Sequence, residues 1–306
     1  MLLKRTVLAP LIHFSSQVKS SQIGILKVTP LSKAAKTALE NPTAAVYFGP
    51  LTLGNASHAL RLSHRTAPPL RQHDQAILDA QDVVAALRIH KSGSVAMPTV
   101  LETGRGSDGH IWTFGTKMLH LQPDNDFALN PYVLTRNDCI GVQKIFKALK
   151  AHRSNGKLKG LEVAISRFNL AYGRFHVEDK MIDLTIALES TLLHGISEEL
   201  SFRLALLGAA LLASKRDAQS VRDLLKLVYV VRSGIVHNGL TISELKKRSD
   251  VKRLWNRVGL GSPHDLFLAT EQLVREVITE YLNLLAAFQS LTEINENIDK
   301  TIIEHL

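Results

Sequence analysis

Arg232 and His237 are the residues of this chain whose types and spacing best fit a chemical role. Four residues separate them, near the end of a stretch with helical apolar periodicity. A histidine titrates near neutral pH, so it can take a proton from a ribose hydroxyl or return one. A guanidinium offers a rigid fork of donors that matches phosphate oxygens and keeps its charge. The two groups suffice for attack of a ribose 2′-oxygen on the adjacent phosphate without a metal ion.

The same pair has a second, purely structural interpretation. Residues five positions apart on a helix differ by about 140° in direction, so Arg232 and His237 do not share a face. The long arginine can still reach a cleft that His237 lines, most easily where two helix ends meet. Near a helix C-terminus, however, both side chains can simply offset the helix dipole. Spacing alone favours this structural interpretation.

A basic segment follows the pair along the chain. Trp255 lies in it with six cations, namely Lys246, Lys247, Arg248, Lys252, Arg253 and Arg257, and the first five are the candidates for nucleic-acid binding. Phosphate contacts and stacking on an aromatic ring can hold an RNA strand. A solvated helix face that Trp255 anchors to the core explains the same residues, so both interpretations stay open.

The sequence offers no persuasive metal site and no disulfide framework. Its one cysteine, Cys139, excludes an intrachain disulfide and fits a reducing compartment. His58, His64 and His73 match no metal-binding spacing and are expected to be loop residues. We therefore expect no metal and no cofactor.

The first part of the chain has the pattern of short β-strands. Apolar runs between turn residues predict a strand at the start of the chain and further strands at Ile23–Val28, Ala44–Phe48, Val95–Val100 and Ile111–Leu121. One helix interrupts them, because apolar residues recur at helical intervals between Asp74 and Ile89.

From Asn137 onward the apolar period is helical. It predicts helices at Ile140–Leu149, Leu158–Phe175, Lys180–His194, Leu200–Ser214, Asp217–His237 and Asp265–Leu291. The sequence thus predicts an α+β fold, in which a β-rich N-terminal domain precedes an all-α bundle. We place the domains at residues 1–135, as a sensor or nucleic-acid-binding region, and at residues 136–306.

The excess positive charge is confined to the first half. Residues 1–156 carry 18 Lys and Arg against 9 Asp and Glu, whereas residues 157–306 carry 19 of each. A polyanion would be attracted to the first half, although a surface charge that maintains solubility explains the excess equally well. The longest apolar run, Leu204–Ala213, is about half the length that spans a bilayer. We expect no membrane segment and a cytoplasmic protein.

Three blocks of the helical region occur in a recognisable order: Asp183–Glu189, Arg203–Leu212 and Leu227–Gly239. Together they resemble the HEPN domains (higher eukaryotes and prokaryotes nucleotide-binding), and within them the Apea-like group. The resemblance covers about residues 160–290, and its last block places an Arg-x4-His motif as the family places it. The stretch Ala85–Gly93 also resembles the region that precedes such domains in full-length members.

The resemblance implies a bundle of four or five helices that dimerises and brings two motif helices together. Many members are metal-independent endoribonucleases of toxin–antitoxin, abortive-infection or antiviral systems. Others have lost activity and only bind nucleotides or partners. For this chain the resemblance implies that the catalytic residues are Arg232, His237 and Ser233. Ser233 occupies a position that the family usually fills with Asn, Asp or His.

Supporting roles are implied for four further residues, Tyr229, Asn238, Glu189 and Arg203. Glu189 follows the apolar run Ile186–Leu188, so we expect it to be partly buried. A buried carboxylate needs a partner, and Arg203 or Arg232 can supply it. An ion pair that holds the bundle together is favoured over a direct catalytic role.

Three hypotheses about function follow. The first is a homodimeric ribonuclease effector of a prokaryotic defence or toxin-type system, which cuts RNA and responds to an antitoxin or a phage-derived trigger. The second is a non-catalytic HEPN protein that binds a nucleotide, a nucleic acid or a protein partner. In the third, dimerisation is the whole function.

Overall fold

The computed structural model describes residues 4–33, 35–36, 56–64, 70–105, 111–118, 130–157 and 160–304. The chain divides into two compact units, Met1–Lys147 and Ala148–Leu306. An antiparallel sheet characterises the first unit and helices form the second, so the predicted α+β class is confirmed. The domain boundary that the sequence places between residues 135 and 136 stays a prediction.

The first unit is built around one sheet. The described strands are β1 (Lys4–Leu11), β2 (Phe14–Ser16), β3 (Ser21–Ile23), β4 (Leu26–Pro30), β5 (His58–His64), β6 (Thr99–Arg105), β7 (Ile111–Met118) and β8 (Tyr132–Leu134), and helix α1 (Leu70–His90) follows β5. Six strands pair in the order β3-β4-β5-β1-β6-β7, with every neighbouring pair antiparallel. Strands β2 and β8 form a separate parallel pair.

Strand β1 lies inside this sheet and is covered on both faces. Its consecutive residues Val7, Leu8 and Ala9 are all buried, although neighbouring side chains in a strand point to opposite faces. Helix α1 contacts β1 and β4. A strand buried on both faces has a continuous apolar sequence rather than an alternating one.

Some sequence-based predictions for this unit need correction. The sequence does not predict β5, and His58 and His64 lie at its ends rather than in a loop. This strand is hard to recognise because it lies between β4 and β1 and buries the adjacent residues Ala59 and Leu60. His73 lies within α1. Strand β6 starts later than predicted, at Thr99, and the predicted strand at residues 44–48 lies outside the described residues.

The remainder of the described chain is helical. The helices are α2 (Arg136–Ser154), α3 (Leu161–Ala171), α4 (Val177–Leu192), α5 (Leu200–Leu211), α6 (Ala218–Asn238), α7 (Ile242–Leu245), α8 (Ser249–Val258), α9 (Pro263–Leu284) and α10 (Leu291–Glu304). Helix α4 is central, because it contacts α3, α5, α6 and α9. None of the helices in the described ranges combines the length and the apolar character that crossing a bilayer requires.

Most predicted helices are present, and their ends differ by a few residues. The largest error concerns the last predicted helix, because α9 ends at Leu284 and the chain turns before α10 begins at Leu291. No glycine or proline marks this break in the sequence. Helix α10 nevertheless has an apolar stripe, since Leu291, Ile294 and Ile298 are buried.

Candidate functional site

Helix α6 carries most of the predicted site residues. It starts after Asp217, whose side chain accepts a hydrogen bond from the Ser220 amide at 2.8 Å. It ends at Gly239, which has a φ of 64°. Glycine adopts this left-handed conformation without the strain that a side chain would introduce, so it closes the helix. An apolar stripe of α6 is buried, and the helix packs against α4, α5 and α8.

The short turn after α6 brings α7 close to its backbone. A Cβ atom at Gly234 would lie 2.3 Å from Cδ2 of Leu245, a distance that real side chains do not tolerate. Glycine at this position therefore allows α7 to approach, and α8 follows directly. Helix α8 in turn packs against α6.

Arg232 faces helix α4, where Glu189 is its anionic partner. Nη2 of Arg232 lies 3.8 Å from Oε2 of Glu189, and the two side chains are 24% and 22% exposed. This separation exceeds hydrogen-bond length. Nε of Arg232 is buried and has no hydrogen-bond partner among the described residues. The guanidinium is thus held beside a carboxylate with donors left for a ligand.

Glu189 is partly buried, as the sequence leads us to expect. Burial raises the pKa of its carboxyl group above the ordinary value, and the nearby Arg232 guanidinium opposes part of this rise. Arg203, the other partner that the sequence allows, donates from Nη1 to Oδ2 of Asp299 at 3.0 Å instead. The structure therefore brings Glu189 together with Arg232 and leaves Arg203 to pair α5 with α10.

His237 lies in the last turn of α6, and its side chain is exposed. Its imidazole has no hydrogen-bonding or ionic partner among the described residues. Helix geometry places it about 7.5 Å along the axis from Arg232 and about 140° around it. A single protomer does not bring these two side chains onto one face of the helix.

The other predicted site residues of α6 surround His237. Tyr229, Ser233 and His237 are spaced by four residues, so they form one row on the helix surface. Tyr229 and Ser233 are half-buried, and Asn238 is exposed at the end of the helix. Val236, beside this row, is 46% exposed. Solvent therefore reaches the His237 end of this row, and the exposed apolar side chain of Val236 lies beside it.

Trp255, in the basic segment, packs in the core and is not accessible to a ligand. It is 1% exposed, and its indole Nε1 donates to the Leu260 carbonyl at 2.7 Å. Lys246 lies over its ring, 4.7 Å from the centroid, and donates to the Gly261 carbonyl at 2.6 Å. The interpretation in which Trp255 anchors the segment to the core is correct, and stacking of a base on this ring is excluded.

The other predicted nucleic-acid-binding residues differ in whether their side chains have an ionic partner. Arg248 pairs with Asp250 at 3.1 Å, and both side chains are exposed. Lys247, Lys252 and Arg253 are exposed as well. The side chains of these three form no hydrogen bond or salt bridge with another described residue.

Three further cations lie on the same two helices. Arg222 and Lys226 lie on α6, and Arg257 lies on α8, where its Nη1 contacts Oδ1 of Asp223 at 2.9 Å. Helical periodicity could have identified the first two. Arg222, Lys226 and Tyr229 follow the spacing i, i+4, i+7, which places them in one half-buried row on the helix.

Neither a metal cluster nor a related protein identifies the chemistry of this site. In the part of the chain that the structure describes, no group of three or more His, Cys, Asp or Glu residues could hold a metal ion. No protein-family model, curated protein or solved structure matches the chain.

Proposed function

We propose that the chain is a HEPN-type, metal-independent endoribonuclease that acts as a homodimer. The observation that carries this proposal is the state of Arg232, whose side chain is 24% exposed and lies 3.8 Å from Glu189 without a direct hydrogen bond to it. Its Nε is buried and out of reach of a ligand, but the Nη atoms are not buried. A phosphate oxygen can accept hydrogen bonds from these Nη donors.

The arrangement of the three HEPN-like blocks supports the proposal. Asp183–Glu189 lies on α4, Arg203–Leu212 lies on α5 and its C-terminal cap, and Leu227–Gly239 covers the last turns of α6 and its cap. These three helices contact one another. Sequence blocks that resemble one domain family therefore form one packed group of helices.

In the proposed reaction His237 takes the proton of a ribose 2′-hydroxyl, and the 2′-oxygen attacks the adjacent phosphorus. The bond from phosphorus to the 5′-oxygen breaks, and a protonated imidazole returns a proton to that oxygen. The products are a 2′,3′-cyclic phosphate and a 5′-hydroxyl. Arg232 stabilises the negative charge that accumulates on the phosphorane oxygens. The half-buried hydroxyl of Ser233, on the same row as His237, supplies a further hydrogen-bond donor.

A homodimer overcomes the separation of Arg232 and His237 within one protomer. When two copies of α6 face each other, two guanidinium groups and two imidazoles surround one cleft. The exposed Val236 side chain beside this row gains from being covered in such an interface. The composite cleft also supplies one imidazole as base and another as acid.

The cellular role of the proposed enzyme follows from the HEPN resemblance alone. It is an RNA-cutting effector of a prokaryotic defence or toxin-type system in the cytoplasm. Its activity is controlled by an antitoxin or by a phage-derived trigger that the N-terminal region senses.

A non-catalytic HEPN protein is the second candidate, and the ion pair of Arg232 favours it. Contact with Glu189 at 3.8 Å gives Arg232 a structural role between α6 and α4. His237 in the last turn interacts favourably with the helix dipole. In this case the helical unit binds a nucleotide, nucleic acid or protein without cutting it.

Purified full-length protein, incubated with end-labelled RNA in EDTA, separates the two candidates. We expect cutting that leaves 2′,3′-cyclic phosphate ends and that falls about 10²–10⁴-fold in His237→Ala. Arg232→Ala is expected to lose cutting as well, whereas His264→Ala, at another exposed histidine of the helical unit, retains it. Equal cutting by all variants would indicate a contaminating nuclease and would remove the proposed site. Absence of cutting in the wild-type protein would favour the binding protein.

The oligomeric state tests the composite cleft independently. Size-exclusion chromatography with light scattering should give the mass of a dimer. A strict monomer at assay concentrations contradicts the composite site even if RNA is cut.

A further inference from the structure

Helices α6 and α8 form a surface rich in cations that the proposed reaction does not use. We define the α6–α8 cationic surface by five residues: Arg222, Lys226, Lys252, Arg253 and Arg257. The two helices pack against each other, and Arg257 of α8 contacts Asp223 of α6 at 2.9 Å. The surface therefore combines positions that lie far apart in sequence.

The acidic residues of these two helices do not neutralise this surface. Helix α6 has one acid, Asp223, which is 3% exposed and also accepts from Nε2 of Gln219 at 3.1 Å. Helix α8 has one acid, Asp250, which pairs with Arg248. Four cations thus form no ionic pair with a described residue: Arg222, Lys226, Lys252 and Arg253.

Arg222 resembles Arg232 in its exposure and in its lack of hydrogen bonds. Both residues are half-buried, and neither guanidinium forms a hydrogen bond with a described residue. The Nε atoms are buried, whereas the Nη atoms are not and can donate to a ligand. Arg222 precedes Arg232 by ten residues on the same helix, which is about 15 Å along its axis. Two incompletely paired arginines therefore mark two positions along α6.

We propose that the α6–α8 cationic surface binds the phosphate backbone of the RNA strand whose cleavage we propose at Arg232 and His237. The strand would run along α6, with Arg222, Lys226 and Arg253 contacting phosphates several nucleotides from the bond that is cut. Phosphate contacts position a strand and carry no sequence information. Since Trp255, the aromatic residue of α8, is buried, charge holds the strand here, and binding is independent of base sequence.

This inference rests on the proposed function for the identity of the ligand, so its test uses RNA that cannot be cut. The probe is a fluorescein-labelled 2′-O-methyl oligoribonucleotide, in which the attacking hydroxyl is blocked. Binding to the full-length protein is measured by fluorescence anisotropy over a series of salt concentrations. Each phosphate contact on a single strand contributes about 0.7 to the slope of log affinity against log salt.

Two substitutions, alone and together, test the surface against a matched control. Lys226→Gln and Lys252→Gln should each reduce the salt slope by about 0.7, and the double variant by about 1.4. Lys300→Gln removes the same charge at an exposed position of α10, and we expect it to keep the wild-type slope. Circular dichroism should show that all variants are folded.

The outcomes separate this inference from the nuclease proposal. A reduced slope in the two surface variants, with the control unchanged, supports the surface even if unmodified RNA is never cut. An unchanged slope, or a wild-type protein that does not bind the probe, overturns it. Cutting of unmodified RNA with an unchanged slope overturns the surface and leaves the nuclease proposal standing.

Discussion

Two arginine–glutamate pairs of the helical unit differ in how deeply they are buried and in how many hydrogen bonds they form. Arg275 and Glu271 on α9 are 3% and 4% exposed, and Nη2 of Arg275 donates to Oε1 of Glu271 at 2.7 Å. The Tyr172 hydroxyl donates to the same carboxylate and accepts from Arg275 at 3.2 Å. Arg232 and Glu189, in contrast, are about a quarter exposed and lie 3.8 Å apart.

This contrast distinguishes a structural network from a site that has capacity for a ligand. A buried network in which every member is bonded rigidifies its surroundings and offers nothing further to bind. A pair that is only partly desolvated and lacks direct hydrogen bonds leaves donors available. The comparison therefore predicts that Arg275 matters for stability and Arg232 for RNA chemistry.

The largest expected effect is on folding, from Arg275→Met. Removing one partner of a buried ion pair leaves an uncompensated charge, and we expect a loss of about 3–5 kcal/mol in the free energy of unfolding. Urea denaturation measures it. The double variant Arg275→Met/Glu271→Leu should recover part of the loss, and a double variant as unstable as the single one would show that the pair is not the cause.

Arg232→Met should show the opposite behaviour. We expect cutting of RNA to fall about 10²–10³-fold, because one donor to the developing oxyanion is lost. The free energy of unfolding should change by only about 1 kcal/mol or less, as for a partly exposed pair. Arg232→Lys keeps the charge without the guanidinium fork and should cut slowly. A stability loss like that of Arg275→Met, with cutting retained, would reverse the comparison.

Two tyrosines give a smaller test of the same contrast. Tyr172→Phe removes a hydrogen bond to a buried carboxylate and should destabilise the fold by about 1–3 kcal/mol. Tyr229 is half-buried on α6 and bonds to no described residue through its hydroxyl. Tyr229→Phe should therefore change stability by about 0.5 kcal/mol or less. Thermal unfolding of the two variants, side by side, would contradict the comparison if their losses were equal.

The smallest expected effect is a pH dependence that comes from Glu189. Because burial raises its pKa, the folded chain holds this proton more tightly than the unfolded chain does. Stability therefore decreases as the pH rises from the ordinary value of 4.5 through the folded pKa, and the decrease is complete above it. Glu189→Gln removes this contribution. A stability difference between wild type and variant that does not change across the mildly acidic range would exclude it.

Local patterns in the sequence predict most helices of the second unit. For α6 they predict the whole element, because the apolar period is regular, Asp217 is a good cap and Gly239 stops the helix. They fail at residues 285–290, where the chain turns without a glycine or proline. They also fail at β5, an interior strand whose buried neighbours Ala59 and Leu60 remove the expected alternation.

For the site residues, the sequence predicts exposure or burial but not the partner of each side chain. The partial burial of Glu189 is predictable from the apolar run before it, and the exposure of His237 fits its place at a helix end. The choice of partner for Glu189 is not predictable, because Arg203 and Arg232 are equally available in the sequence. The role of Trp255 was open for the same reason, since an aromatic among cations suits both a core anchor and a stacking surface.

The sequence by itself determined which positions form α6 and therefore that Arg232 and His237 lie near its end, about 140° apart. Helical periodicity and end caps are local properties, and a short stretch of chain contains all the information they need. Only the tertiary structure decided that Glu189 lies beside Arg232, that Asp299 pairs with Arg203, and that Arg257 of α8 pairs with Asp223 of α6. These relations depend on how helices pack over long sequence separations, which no local pattern specifies.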